Sequence, residues 1–368
     1  MKRKFSFIAT VFLASLICNI SNAQTYDNLI SGYVKDASTG KALVGVNVYL
    51  SGTYWGSTTD DDGYYLIKSI VPGNYEIVAS MVGYEPKYEL VVVKESMETK
   101  IDFFITEKVY KLNDVTIQAE PPEEWYDQLD LFKKHFLGKR YFADDCVIEN
   151  EVEINFFETE STLLAMCDNP LSIDNIDLGY HLDCLLLDFL YDKNTGGCTF
   201  IVKSRFTELT SDDPDVLADW EYNREEAYFG SLRHFLVTLV NDEFIGSDFL
   251  FIWKIRKAYT RTNSLRYYSS PEIYYYSDSD AEELLDTTLV YNSQKNEYQF
   301  TLDKPLLIDY KGWISTFHLT EGKVTLDQFG YPKQILAINV LGDWGRYGVA
   351  DFLPQHYERK FQIESTEK

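Results

Sequence analysis

Beyond residue 23 the chain has no uninterrupted apolar run that could cross a bilayer, which takes about 20 such residues in a helix. The two richest stretches, His181 to Tyr191 and Phe244 to Ile255, are broken by Asp183, Asp188, Asp248 and Lys254. The processed chain is therefore expected to be soluble, or to meet a membrane only through a partner. Positive charge is also scarce. Lys plus Arg number 34 against 58 Asp plus Glu, a formal charge of −24 over 368 residues. Such a surface repels phosphate backbones and argues against nucleic-acid binding; its simplest use is solubility. Aromatic residues reach 15%, with 28 tyrosines, which supplies material for packed cores and argues against disorder.

The usual signatures of chemistry are missing as well. There is no G-x-S-x-G elbow, no dinucleotide fingerprint, no phosphate-binding loop and no C-x-x-C zinc pair. His318-Leu319-Thr320-Glu321 has the H-x-x-E spacing of some zinc peptidases, with His356 as the one available third ligand. It lies in a strand-like run, however, whose alternation places His318 and Glu321 on opposite faces. Asp60-Asp61-Asp62-Gly63 reads as a hairpin turn, because a calcium loop would need acids where Thr58 and Ser69 stand. Acid pairs such as Asp144-Asp145 and Asp212-Asp213 are expected by chance in so acidic a chain. Asn223, Arg224 and His234 read as polar residues that satisfy buried backbone groups. No catalytic residue, metal ligand or cofactor is assigned.

What is present begins with an export signal. Lys2, Arg3 and Lys4 precede an apolar stretch from Phe5 to Cys18, and Ser21-Asn22-Ala23 places the cut between Ala23 and Gln24. The bulky Ile17 before Cys18 disfavours a lipidated cysteine. Four cysteines remain after cleavage: Cys146, Cys167, Cys184 and Cys198. In an exported protein they are candidates for disulfides, in any of three pairings, or they are buried thiols that pack as small apolar residues.

From Leu29 to Thr106 the sequence alternates apolar and polar residues between Gly, Asn, Asp and Pro turns, giving about seven strands of a sandwich. Ile30, Gly32 and Val34 share a face, as do Val46, Val48 and Leu50, then Tyr65 and Ile67, then Tyr75, Ile77, Ala79 and Met81. Residues 108–122 read as a linker. Pro122 to Leu137 reads as a helix on the stripe Trp125, Leu129, Phe132 and Phe136. Strands are expected across 142–206, and one long helix from Asp213-Pro214 to about Val240. The polar, tyrosine-rich stretch Arg261 to Asp286 is expected to be a long exposed loop, with Tyr274, Tyr275 and Tyr276 as candidate ligand-contact aromatics beside Tyr267 and Tyr268. Strands return over 288–329, and a frayed tail closes the chain.

The ordered elements Gly32 to Asp36, Thr39 to Val48, Thr59 to Tyr65, Val71 to Tyr75 and Gly83-Tyr84 resemble the carboxypeptidase regulatory-like domain. The resemblance implies a transthyretin-like (prealbumin-like) sandwich without catalytic residues. In other proteins that domain follows a peptidase or leads an outer-membrane receptor. Leu112 to Ile117 resembles the short strand that follows the domain in TonB-dependent receptors, but the chain is far too short for their barrel. Motifs between Phe136 and Pro354 resemble exported bacterial proteins that carry this domain first, and for that region the resemblance implies no activity.

The expected fold is mainly β with some α: a signal over 1–23, a seven-stranded sandwich over 24–107, a linker over 108–122, an α+β domain with one long helix over 123–360, and a tail over 361–368. The expected role is non-enzymatic, in the periplasm or at the outer membrane, with an envelope protein or a glycan as partner. The alternatives are a carbohydrate-binding protein of an uptake system and an unrecognised hydrolase.

Overall fold

The computed structural model describes residues 27–357, apart from 95, 97, 109–120, 257–258, 263–264, 269–271 and 296. The expected cleavage site at Ala23 and Gln24, most of the linker and the tail lie outside these residues.

Leu29–Asp36 opens a two-sheet sandwich. One sheet joins it to Tyr64–Lys68, Glu98–Lys100 and Phe103–Ile105; the other orders Gly56–Thr58, Asn47–Leu50, Gly73–Ser80 and Lys87–Val93. The faces read from alternation are the ones that close on each other. Ile30, Val34, Val46, Val48, Leu50, Tyr65, Ile67, Tyr75, Ile77 and Ala79 form one buried core. There are eight strand segments where seven were expected, because the last run divides at Ile101-Asp102. The carbonyl of Ile101 accepts the Tyr65 hydroxyl at 2.8 Å, and Asp102 accepts the backbone N–H of Tyr33. The two pieces pair in parallel with the first strand, so the sandwich is not purely antiparallel.

The rest of the described chain builds two further cores. Helix α1, Glu123–Phe136, buries Leu129, Phe132 and Phe136 as its spacing predicts, with Glu123 and Glu124 in its first turn and Lys133, Lys134 and His135 in its last, matching the helix dipole. It packs on a six-stranded sheet centred on Tyr180–Asp192 and Cys198–Glu208. The third core lies between a five-stranded sheet, a three-stranded sheet and two helices.

The single helix expected over 214–240 is two. Asp213 caps α2, Pro214–Tyr228, and Ser231 caps α3, Leu232–Val240. Gly230 between them has φ +78°, and a Cβ there would lie 2.5 Å from the Tyr310 ring, so the residue must be glycine and the helix must stop. The expected loop over 261–286 is also structured. It contains a hairpin of Tyr259–Thr262 with Leu265–Tyr268, an edge strand Glu272–Tyr275, and α4, Asp278–Thr288, capped by Ser277. Tyrosine-rich polar sequence is compatible with a strand at the edge of a sheet, where one side meets water.

One segment touches all three cores. Trp344 sits in the third core, Val349 and Ala350 in the α1 core, and Gln355 and His356 against the sandwich. Its path depends on Gly348, where a Cβ would lie 2.4 Å from the Gly138 nitrogen and the Leu137 carbonyl group. Because those atoms are backbone, Gly348→Ala should lower the urea unfolding free energy by about 3 kcal/mol. Gly345→Ala, whose nearest neighbour is 3.6 Å away, should change it by about 0.5 kcal/mol. Equal effects would remove the close approach as a determinant of the fold.

Candidate binding cleft

The cleft forms where the α1 core meets the third core. Backbone joins them first: Lys139 N–H donates to the Arg346 carbonyl at 2.7 Å, and Ala350 N–H donates to that of Leu137 at 3.1 Å. The Arg140 guanidinium then donates to Asp351 at 2.9 Å and lies over the rings of Phe142 and Tyr347. Burial pushes the Asp351 carboxyl up to about 6 in spite of Arg140. Desolvation here outweighs the ion pair, as it does for many buried charges.

Above this joint opens a cavity of about 500 Å3. One wall carries Tyr141, 51% exposed, next to Arg140. The opposing hairpin of Leu306–Tyr310 and Trp313–Leu319 turns at Lys311-Gly312, and its tip presents Trp313, 58% exposed. Asp309 pins that turn by accepting the Gly312 N–H at 2.6 Å. Lys311 pairs with Asp248 at 2.9 Å and Arg346 with Asp343 at 3.3 Å. Glu226, from the last turn of α2, and Phe229, from the break between α2 and α3, complete the rim.

Under the floor lies His234. Its Nδ1 accepts the Gly230 N–H at 3.1 Å, a bond open only to the ring with that nitrogen unprotonated. Burial, and more weakly Lys311, hold its pKa down to about 4. Asn223 and Arg224 donate to the carbonyls of Asp177 and Leu178. These three polar residues therefore serve backbone groups, as the sequence suggests.

Tyr275 bears on the cleft indirectly. Its hydroxyl donates to Asp309 at 2.6 Å, so it braces the carboxylate that holds the turn. That bond pushes its pKa up to about 12. Tyr274 is 38% exposed on the same edge strand, and Tyr276 packs against the third core. The four cysteines are free thiols, with Cys167 and Cys184 buried and Cys146 and Cys198 half-buried. Burial pushes Cys146 and Cys198 up to about 12 and raises Cys167 and Cys184 too. His318 is an exposed strand residue, while His356 Nε2 meets the Tyr75 hydroxyl at 2.5 Å beside Trp55. Among the described residues no three His, Cys, Asp or Glu side chains gather in a way that could hold a metal ion. Tyr141 and Trp313 were not singled out from the sequence. The one signal for them is a large aromatic directly after a turn glycine, at Gly312-Trp313.

Residues 30–117 match the family model of the CarboxypepD_reg-like domain. The N-terminal sandwich is a carboxypeptidase regulatory-like domain. The chain is also 32% identical over 132 residues to the TonB-dependent receptor SusC of Bacteroides thetaiotaomicron, covering 33% of this chain and 13% of the receptor. With human carboxypeptidase D it shares 32% identity over 91 residues, 24% of this chain and 6% of that protein. The chain thus spans a small part of either relative, and the regulatory-like domain match covers about a quarter of this chain. Solved structures resemble it distantly. A cohesin–X-dockerin complex of Acetivibrio cellulolyticus shares 18% identity over 30% of this chain and 76% of its own, with a TM-score of 0.18. A DUF3823 family protein of Bacteroides ovatus shares 11% over 50% and 82%, also with a TM-score of 0.18.

Two measurements check this account. The unfolded chain takes up the His234 proton as pH falls below 6.5, whereas the folded chain resists it to about 4, so this residue withdraws stability over that window. His234→Gln should therefore reduce the fall in urea unfolding free energy between pH 7 and 4.5 by about 2 kcal/mol. An unchanged slope would show that the ring is not held neutral. The four thiols should react with a disulfide reagent about a hundredfold more slowly in the native protein than in urea. Silence in both states would mean that they are paired as disulfides.

Proposed function

We propose that this chain is an exported binding protein of the bacterial envelope. The regulatory-like domain is its structural and docking module, and the region from residue 123 recognises a partner or an envelope component. The observation that carries this reading is how the domain is engaged. The turn Ser51 to Trp55 lies along strand Cys198–Glu208: Gly52 N–H donates to the Ser204 carbonyl at 2.7 Å, and Phe206 N–H donates to that of Thr53 at 3.0 Å. Beside it Tyr49 and Val78 bury against Leu185, and the Lys203 ammonium, 4% exposed, pairs with Glu76. From the far end of the chain, Gln355 bonds to Gly52 and Asn74. A sheet face used in this way acts as a mount that fixes the orientation of the region beyond it. The export signal expected from the sequence of residues 1–23 and the similarity to a TonB-dependent receptor support the location.

Purified protein incubated with a panel of peptidase, esterase and glycosidase substrates should show no turnover that depends on a single side chain. Turnover abolished by one point substitution would overturn the binding-protein reading in favour of a hydrolase.

A further inference from the structure

We infer that the cleft between Tyr141 and Trp313 is a binding site for a neutral glycan, an inference that rests on the binding-protein reading and names its ligand class. Three features of the cleft decide the class. The first is shape and surface. Two large aromatic side chains line it, one from each wall, and each keeps about half of its surface open, although Tyr141 rests on Phe142 and the Arg346 guanidinium lies 5.9 Å from the Trp313 ring. A solvent-facing Trp or Tyr offers a flat apolar face with little conformational freedom to lose. The C–H face of a pyranose ring is the flat, weakly apolar surface that matches it.

The second feature is charge. Arg140, Lys311 and Arg346 line the cleft together with Glu226, Asp248 and Asp343. Each cation already has an acid beside it: Arg140 has Asp351, Lys311 has Asp248, and Arg346 has Asp343. No net positive field is left to attract a phosphate, sulfate or uronate. The Lys311–Asp248 and Arg346–Asp343 pairs instead set N–H donors next to carboxylate acceptors, and Glu226 adds one further acceptor, so an anionic ligand is disfavoured. A sugar hydroxyl both donates and accepts, so it can use both members of such a pair. A purely apolar ligand would strip water from these ions without replacing their hydrogen bonds, which is costly.

The third feature is rigidity. The Trp313 wall is pinned by the Asp309 carboxylate, itself braced by Tyr275, and the Tyr141 wall is pinned by the Arg140–Asp351 pair. The platforms are therefore held in place before a ligand arrives, which lowers the ordering cost of binding. The cavity of about 500 Å3 falls within the usual range for small-ligand sites.

The test uses the full mature chain in affinity electrophoresis and calorimetry against α-glucan, β-glucan, mannan and xylan, with polygalacturonate as the anionic comparison. At least one neutral polysaccharide should bind. Trp313→Ala and Tyr141→Ala should each raise its dissociation constant at least tenfold while the circular dichroism spectrum and a cooperative thermal transition are kept, since about half of each side chain is exposed. Binding to polygalacturonate alone, no binding to any of the four neutral polymers, or wild-type affinity in both variants would overturn the site. Release of reducing ends from a bound polymer would overturn the non-enzymatic reading and leave the glycan site standing. A failure to bind removes the site and leaves the mounting role of the sandwich untouched.

Discussion

The contact on which the structure depends is the backbone crossing of Gly138 and Gly348, closed by the buried pair of Arg140 and Asp351. Neither core it joins is complete alone. The α1 core borrows Val349 and Ala350 from the end of the chain, and Asn175 secures the loan by donating to the Ala350 carbonyl at 2.8 Å. The third core takes Trp344, whose indole donates to the Gly230 carbonyl at 2.7 Å. A few residues later the same segment reaches the sandwich. Side chains at either glycine would separate these surfaces, and no rearrangement of flexible atoms could relieve the clash, because the neighbours are backbone.

That crossing also explains where a recognition surface can exist. A cleft between two packed units holds its shape only if the units cannot rotate, and the strap from Trp344 to His356 prevents rotation on both sides. The aromatic walls therefore come from elements far apart in sequence: the turn after α1, the break between two helices, and the tip of a hairpin. The regulatory-like domain contributes no wall to this cleft. Its part is to fix the far end of the strap and the central sheet, through Gln355, His356 and the Ser51 to Trp55 turn.

The sandwich was legible because its evidence is local. A period of two, interrupted by turn residues, identifies which side chains close on which, and the buried set from Ile30 to Ala79 follows it. The α1 stripe was legible for the same reason, with a period of 3.6. The break at Phe229-Gly230-Ser231 was written in the sequence as a glycine before a capping serine, but the apolar stripe on either side masked it. The pairing of Tyr259–Thr262 with Leu265–Tyr268 was hidden by composition, since threonines, arginines and tyrosines there give no clear apolar face. The cleft was out of reach for a deeper reason. Tyr141 and Trp313 acquire meaning only through the crossing of Gly138 and Gly348, a contact between residues some two hundred positions apart that no periodicity encodes.

Native-state hydrogen exchange in rising urea, followed by mass spectrometry on the full chain with and without Asp351→Ala, tests the strap directly. If it holds the three cores together, the slowest amides of the sandwich, the α1 sheet and the third core will open at one common free energy in the parent. All three will then fall together in the variant. If each region instead opens at its own free energy, and Asp351→Ala affects only the strands beside residue 351, the strap is a local decoration and the account is wrong.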